Sequence, residues 1–156
     1  MKKKSAPRRR TSSGPSVAGN HAFRFDGYSM VAGQIPYYIV GTGLVTLAKN
    51  LTLSGQQTSS TTPLAATQAN PATILVCNYK LTGSYTFSEK DGTGTATIQF
   101  DPVDPGDKDK NCAAEIGTFS LVSVGSNRFW LISTGAKLLD GTETDEVVQI
   151  EAIRIV

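Results

Sequence analysis

Residues 77–100, CNYKLTGSYTFSEKDGTGTATIQF, limit the fold of this 156-residue chain more than any other stretch. Tyr79, Leu81, Tyr85 and Phe87 recur among small and polar neighbours at strand spacing, and Asp91-Gly92 is a signal for a tight hairpin. Two strands joined at that turn are expected, and much of the chain repeats the pattern. Residues 21–32 alternate aromatic and polar side chains, with Phe23, Phe25 and Tyr28 expected to face one way and an interruption near Asp26-Gly27. Residues 37–48, YYIVGTGLVTLA, are rich in β-branched and aromatic residues, and their two glycines favour a bend over a helix. A turn at Lys49-Asn50 leads into residues 51–56. Residues 116–124 and 127–134 read as a hairpin across Gly125-Ser126, with Phe119, Leu121, Phe129 and Leu131 inward. A last hairpin turns near Asp140-Gly141 and leads into residues 147–155.

Two segments lack this alternation. Residues 57–72, QQTSSTTPLAATQANP, read as a long polar loop, with one short helical turn near residues 63–67. Residues 101–111 read as a second polar loop holding Pro102, Pro105 and Gly106. Elsewhere no window favours the helical period. About eight strands in series, joined mainly by short turns, predict an all-β domain over residues 21–156, a single antiparallel up-and-down barrel. Closure removes the exposed edges that invite aggregation. A bore of eight strands has room for packed side chains or for one small ligand.

Charge is unevenly spread. Six of the fifteen Lys and Arg are Lys2, Lys3, Lys4, Arg8, Arg9 and Arg10, while from His21 onward nine basic residues face thirteen acidic ones, a net of −4. Residues 1–20 are too polar to bury a core and are expected as a disordered basic arm. Its six charges suit weak, salt-sensitive contact with a polyanion, although the acidic body opposes extensive nucleic-acid binding. No apolar run of export-signal type follows the basic start, and no segment nears the roughly eighteen apolar residues of a membrane span. The location expected by default is cytoplasmic.

The chemistry-bearing residues are sparse. His21 is the only histidine, and an acyl-transfer triad needs its base beside a nucleophile and an orienting group. It is expected as an exposed junction residue, and no catalytic residue is assigned. Asp101, Asp104, Asp107 and Asp109 offer oxygens of the kind that hold calcium, but the spacing lacks the fixed Gly and closing Glu of the calcium loop. They read as a solvated loop, as do Glu143, Asp145 and Glu146, so no metal site is expected. Gly41-Thr42-Gly43 is too short for a dinucleotide fingerprint and opens no helix, and no cofactor is expected. Cys77 and Cys112 cannot complete a zinc site by themselves. They are either a disulfide of an oxidising compartment or two small buried apolar residues.

Aromatic residues are the better lead. Tyr28, Tyr38, Tyr79, Tyr85, Phe87, Phe119, Phe129 and Trp130, with Tyr37 beside them, fall on expected strands, and those facing inward would line a ligand cavity. Core packing is the competing explanation.

The segments YKLTGSYTF and KDGTGTATI, the loop ending at Cys112 and the strand IGTFSLV together resemble a set of small, uncharacterised bacterial Gly/Thr-rich proteins with calycin-type or allene-oxide-cyclase-like barrels. The likeness extends more weakly over residues 23–155. It implies a scaffold that hosts carriers, inhibitors and cofactor-free cyclases alike, and it assigns no residue a role. Proteins of that set typically carry an export signal, which is not recognisable here. The leading expectation is a non-catalytic β-barrel that binds a small apolar ligand or a protein partner. A cofactor-free cyclase or isomerase is the first alternative, distinguished by a Tyr or Glu pointing into an open interior. A nucleic-acid-binding or coat-like assembly protein acting through the arm is the second. Assembly into a homo-oligomer is compatible with each.

Overall fold

A computed structural model describes residues 16–31, 36–64, 74–103 and 112–155. They form eight strands: β1 (Gly19–Val31), β2 (Tyr37–Leu47), β3 (Thr52–Pro63), β4 (Leu75–Ser88), β5 (Thr93–Pro102), β6 (Glu115–Ser123), β7 (Arg128–Leu138) and β8 (Glu143–Arg154). Each strand pairs antiparallel with the next, and β8 returns to pair with β1, so the sheet is a closed barrel. The described residues contain no helix. Glycines occupy the left-handed positions that the tight turns require, with φ of 69° at Gly92, 80° at Gly125 and 90° at Gly141.

The two ends of the bore differ. At one end lie the start of β1, the end of β8 and the turns joining β2 to β3, β4 to β5 and β6 to β7. Here the inward residues are large and apolar, and Phe129, Leu121, Leu81, Leu47 and Ala152 are fully buried. Only about 20 Å³ stays empty among them, enough for roughly one water molecule. Phe23 stands opposite Gly43 and Phe25 opposite Gly41 in the β1–β2 register, and each ring lies over its glycine. Two phenylalanines thus fit side by side in a narrow bore because the neighbouring strand contributes no side chain at those points.

His21 belongs to this packed end and is not the exposed junction residue expected from its place in the chain. It is 2 % exposed, its ring meets Phe129 edge-on at a centroid distance of 4.8 Å, and its Nδ1 lies 3.1 Å from the Gly19 carbonyl. Residues 16–18 turn across the end of the barrel and Val17 is buried there. The Arg154 guanidinium donates to the carbonyls of Ser16 and Ala18. The described residues begin at Ser16 and β1 at Gly19, ahead of the strand start expected at His21. The arm residues Lys2, Lys3, Lys4, Arg8, Arg9 and Arg10 lie outside the described residues.

Three further expectations are corrected. Residues 57–63 are strand, because β3 runs to Pro63 and pairs with β2 and β4 along this length. The residues expected as a helical turn include Pro63, which is strand, while residues 65–67 lie outside those described. β1 continues through Asp26-Gly27 without a break. An unbroken strand puts Phe23 and Phe25 on one face and Tyr28 on the other, and Tyr28 is 50 % exposed.

A Cβ at position 43 would run into the Gln56 carbonyl and the Phe23 ring. We expect Gly43→Ala to destabilise the barrel by about 1–3 kcal/mol, the usual cost of overpacking, as a lower urea midpoint. An unchanged midpoint would mean that the two strands have room to move apart.

Candidate functional site

Among the described residues the opposite end of the bore is open. A cavity of about 1210 Å³ lies between the last turns of the strands, lined from β1 by Phe25 and Ser29, from β2 by Tyr37 and Ile39, and from β4 by Leu75, Cys77 and Tyr79. Phe100, Phe119, Leu138, Val148 and Ile150 complete its apolar wall. The polar groups fall into two sets. β3 contributes Gln57, Ser59 and Thr61, while β6 and β8 contribute Glu115, Thr144 and Glu146. In a ring of eight strands in sequence order, β3 stands across the bore from β7, and β6 and β8 flank β7. The hydroxyl and amide set therefore faces the carboxyl set across the cavity.

Strand alternation explains both sets. Gln57, Ser59 and Thr61 share the inward face of β3 with Leu53, which is buried in the packed end. Gln57 and Ser59 are only 8 % and 5 % exposed, and neither side chain finds a hydrogen-bond partner among the described residues. Glu115 shares the inward face of β6 with Phe119 and Leu121, and Glu146 shares that of β8 with Val148 and Ile150. The register of β7 against β8 shifts between Ile132 and Ala136. At this irregularity the Ser133 hydroxyl donates to the Glu146 carbonyl at 3.0 Å and accepts from the Val148 amide at 2.9 Å. Ser133 thus fixes the backbone of β8 on both sides of Val147.

The electrostatics of the carboxyl set are unusual. Burial pushes the Glu115 carboxyl up to about 7. Burial and then the nearby Glu115 charge push Glu146 up to about 8. Both effects disfavour the ionised form. Burial, followed by Glu115, also raises the Tyr79 phenol well above its ordinary value. No Lys or Arg lines the cavity among the described residues. The Thr144 hydroxyl in the same wall is buried without a partner. A carboxyl that keeps its proton near neutral pH, next to one that releases it, is able to donate and accept protons or to receive a cation.

Cys77 and Cys112 are joined as a disulfide, with 5.8 Å between their Cα atoms. The bond ties β4 to the segment that enters β6 three residues before Glu115, and both cysteines line the cavity.

Of the aromatic residues singled out in the sequence, Tyr79 and Phe119 line the cavity, as does Tyr37. Tyr85 and Phe129 belong to the packed end, where the Tyr85 hydroxyl donates to the Ala48 carbonyl at 2.7 Å. Phe87 is half-buried against the same core. Tyr28 and Tyr38 lie together on the outer face with ring centroids 5.3 Å apart. Trp130 is also on the outer face, in register with Val122 and Glu151. Asp101 and Pro102, expected as the start of a loop, are the last two residues of β5, and Asp104, Asp107 and Asp109 lie outside the described residues. The sequence reading passed over Gln57, Ser59, Thr61 and Glu115, and placed Glu146 in a solvated turn. Parity was the available signal: once Phe119 and Leu121 face inward, so does Glu115, and Val148 and Ile150 carry Glu146 with them.

No helix among the described residues is long and apolar enough to cross a membrane, and these residues bring together no group of three or more His, Cys, Asp or Glu able to hold a metal ion. Compared with known proteins, the chain matches no family model, no curated protein and no solved structure.

The carboxyl pair makes stability depend on pH. With both values raised above the usual 4.5, the folded protein holds protons that the unfolded chain gives up. The pair's contribution is complete at low pH and is lost as pH rises through about 7 to 8. His21 acts in the opposite sense. Its value is lowered to about 4 by burial and then by the Arg154 charge, so its contribution is present above about pH 6.5 and falls away toward pH 4. Between about pH 6.5 and about pH 9, above the range of His21 and below that of the raised Tyr79 and Tyr85 phenols, the carboxyl pair dominates the change, and there we expect the urea midpoint of Glu146→Gln to fall less with rising pH than that of the unmodified protein. Parallel declines would mean that the carboxyl groups are solvated in the native state.

The disulfide closes a loop with a sequence separation of 35. Replacing both cysteines with Ser should cost about 2–4 kcal/mol, measured by the same unfolding experiment. A change within error would show that β4 and the approach to β6 are already held by the sheet.

Proposed function

We propose that this protein is a binding barrel that takes a small, mainly apolar molecule into its open end. The observation that supports this reading is the cavity itself, about 1210 Å³ in volume and walled largely by aromatic and aliphatic side chains. Small-molecule sites are concave and mostly apolar, with a few convergent polar groups that fix orientation, and Gln57, Ser59, Glu115 and Glu146 are groups of that kind. A packed opposite end supplies the rigid wall that such a site needs. The scaffold reading that accompanies this proposal is a calycin-type or allene-oxide-cyclase-like barrel.

A second reading, a cofactor-free cyclase or isomerase, is favoured by one specific feature. Glu115, Glu146 and Tyr79 all border the open interior, where a protonated carboxyl and its ionised neighbour would move a proton between two positions of a bound molecule. Binding is the step common to both readings and is the one to test first.

The neutral fluorophore N-phenyl-1-naphthylamine brightens on entering an apolar site. We expect saturable enhancement with the unmodified protein and its loss in Ser59→Trp, whose indole would occupy the cavity. A fluorophore that stays dark, or that brightens equally with Ser59→Trp, would remove the cavity from consideration. Native mass spectrometry of protein from its own host would then identify the retained compound.

A further inference from the structure

The walls of the cavity also specify the charge of its occupant. Glu115 and Glu146 face one void from strands on either side of β7, and no basic side chain among the described residues lines that void. The other titratable groups facing it among the described residues are the phenols of Tyr37 on β2 and Tyr79 on β4, and neither supplies positive charge. An anionic occupant would bring a further negative charge into a site that already disfavours its own. A neutral occupant would offset the desolvation of two carboxyl groups less than a cation would. A cation does offset it, through charge-assisted hydrogen bonds.

The cation is an ammonium group and not a metal ion. Hard metal ions require six or more oxygen ligands, whereas no cluster of three or more acidic or metal-ligating side chains exists among the described residues. A primary ammonium has three donors on a compact centre, and it would relieve the repulsion by which Glu115 disfavours ionisation of Glu146. Across the bore, Gln57 and Ser59 line the same cavity and are able to hydrogen-bond a polar group at the far end of the same molecule. Phe119, Tyr79 and Ile39 enclose the apolar body between these two ends.

We propose that the occupant of this cavity is an amphipathic amine, its protonated nitrogen seated on Glu115 and Glu146 and its opposite end hydrogen-bonded by Gln57 and Ser59. The inference rests on the binding-barrel reading. The raised carboxyl values add a consequence: a proton leaves the pair as the ammonium arrives, so amine binding tightens as pH rises through neutrality while the amine itself stays protonated.

Head-group series that hold the body constant test this directly. Tryptamine, tryptophol and indole-3-propionate form one series; octylamine, octanol and octanoate form another. Each competes with N-phenyl-1-naphthylamine at about pH 8. We expect the amine of at least one series to bind at least about tenfold more tightly than its alcohol and its carboxylate, the range of a charged hydrogen bond. That preference should grow from about pH 6 to pH 8 and vanish in Glu115→Gln/Glu146→Gln. The comparison of head groups on the unmodified protein stands even where the double variant folds poorly. Alcohols or carboxylates that bind as tightly as the amines overturn the amine seat and leave the binding barrel intact. Failure of both series to displace a fluorophore that does bind has the same meaning. Failure of the fluorophore itself removes the binding reading and the amine seat together.

Discussion

The pairing of β8 with β1 is the constraint on which everything else depends. Eleven residue pairs, from His21 with Arg154 to Val31 with Thr144, close the sheet and give it an inside. Without closure, the alternate residues of eight amphipathic strands would face a second layer, and the described residues provide none. With it, a side chain's environment depends on its parity and its height along the strand. Height divides the bore into a packed half and an open half. Large apolar residues sit where the strands meet the short turns, and β3 turns polar toward the other end. The Arg154 guanidinium, gripping the carbonyls of Ser16 and Ala18, seals the packed end with the segment that brings Val17 over it.

The division also explains why two acidic side chains can face inward at all. In the packed half a carboxyl would lose its hydration outright, a loss that drives such groups to neutrality or excludes them. In the open half it keeps part of its surface in contact with the cavity, and the cost appears as raised proton affinity instead of failure to fold. Glu115 and Glu146 are therefore tolerated at the one level of the barrel where they can also reach a small molecule. The packed half balances this arrangement, since the burial of Phe23, Leu81, Leu121 and Phe129 does not depend on whether the cavity is filled.

How much of this could be read from the sequence follows from the same division. Strands whose inner face enters the packed half announce themselves: Phe119, Leu121, Phe129 and Leu131 alternate against polar neighbours, and Asp91-Gly92 and Gly125-Ser126 mark their turns. β3 does not, because Gln57, Ser59 and Thr61 face the cavity while Thr58, Ser60 and Thr62 face outward, leaving a strand polar on both sides that reads as loop. The acidic pair was legible only by counting parity outward from the neighbouring apolar residues. Tyr28 failed the same count, since one residue moves a side chain from the bore to the surface. His21 was misread for a different reason: its burial depends on residues 16–18 and on Arg154, more than 130 positions away, a contact no local pattern encodes.

The strand between the two glutamates is as informative as the glutamates themselves. Gly117 of β6, Ala136 of β7 and Thr144 of β8 form one row across the wall. Glu115 lies just above that row, toward the mouth, and Glu146 just below it. A regular β7 would continue the inward parity of Phe129 and Leu131 to residue 135, but the register shift between Ile132 and Ala136 brings Ala136 inward instead, with its neighbour Leu138 in register with Glu115. Small side chains thus occupy the stretch of wall between Glu115 and Glu146. Ser133 meanwhile takes over hydrogen bonds beside Val147 that the ladder has given up. Irregularities of this kind re-aim side chains and recur beside functional sites. Here the irregularity turns Ala136 and Leu138 toward the bore and leaves Lys137, which unbroken parity would have carried inward beside the acids, exposed on the outer face.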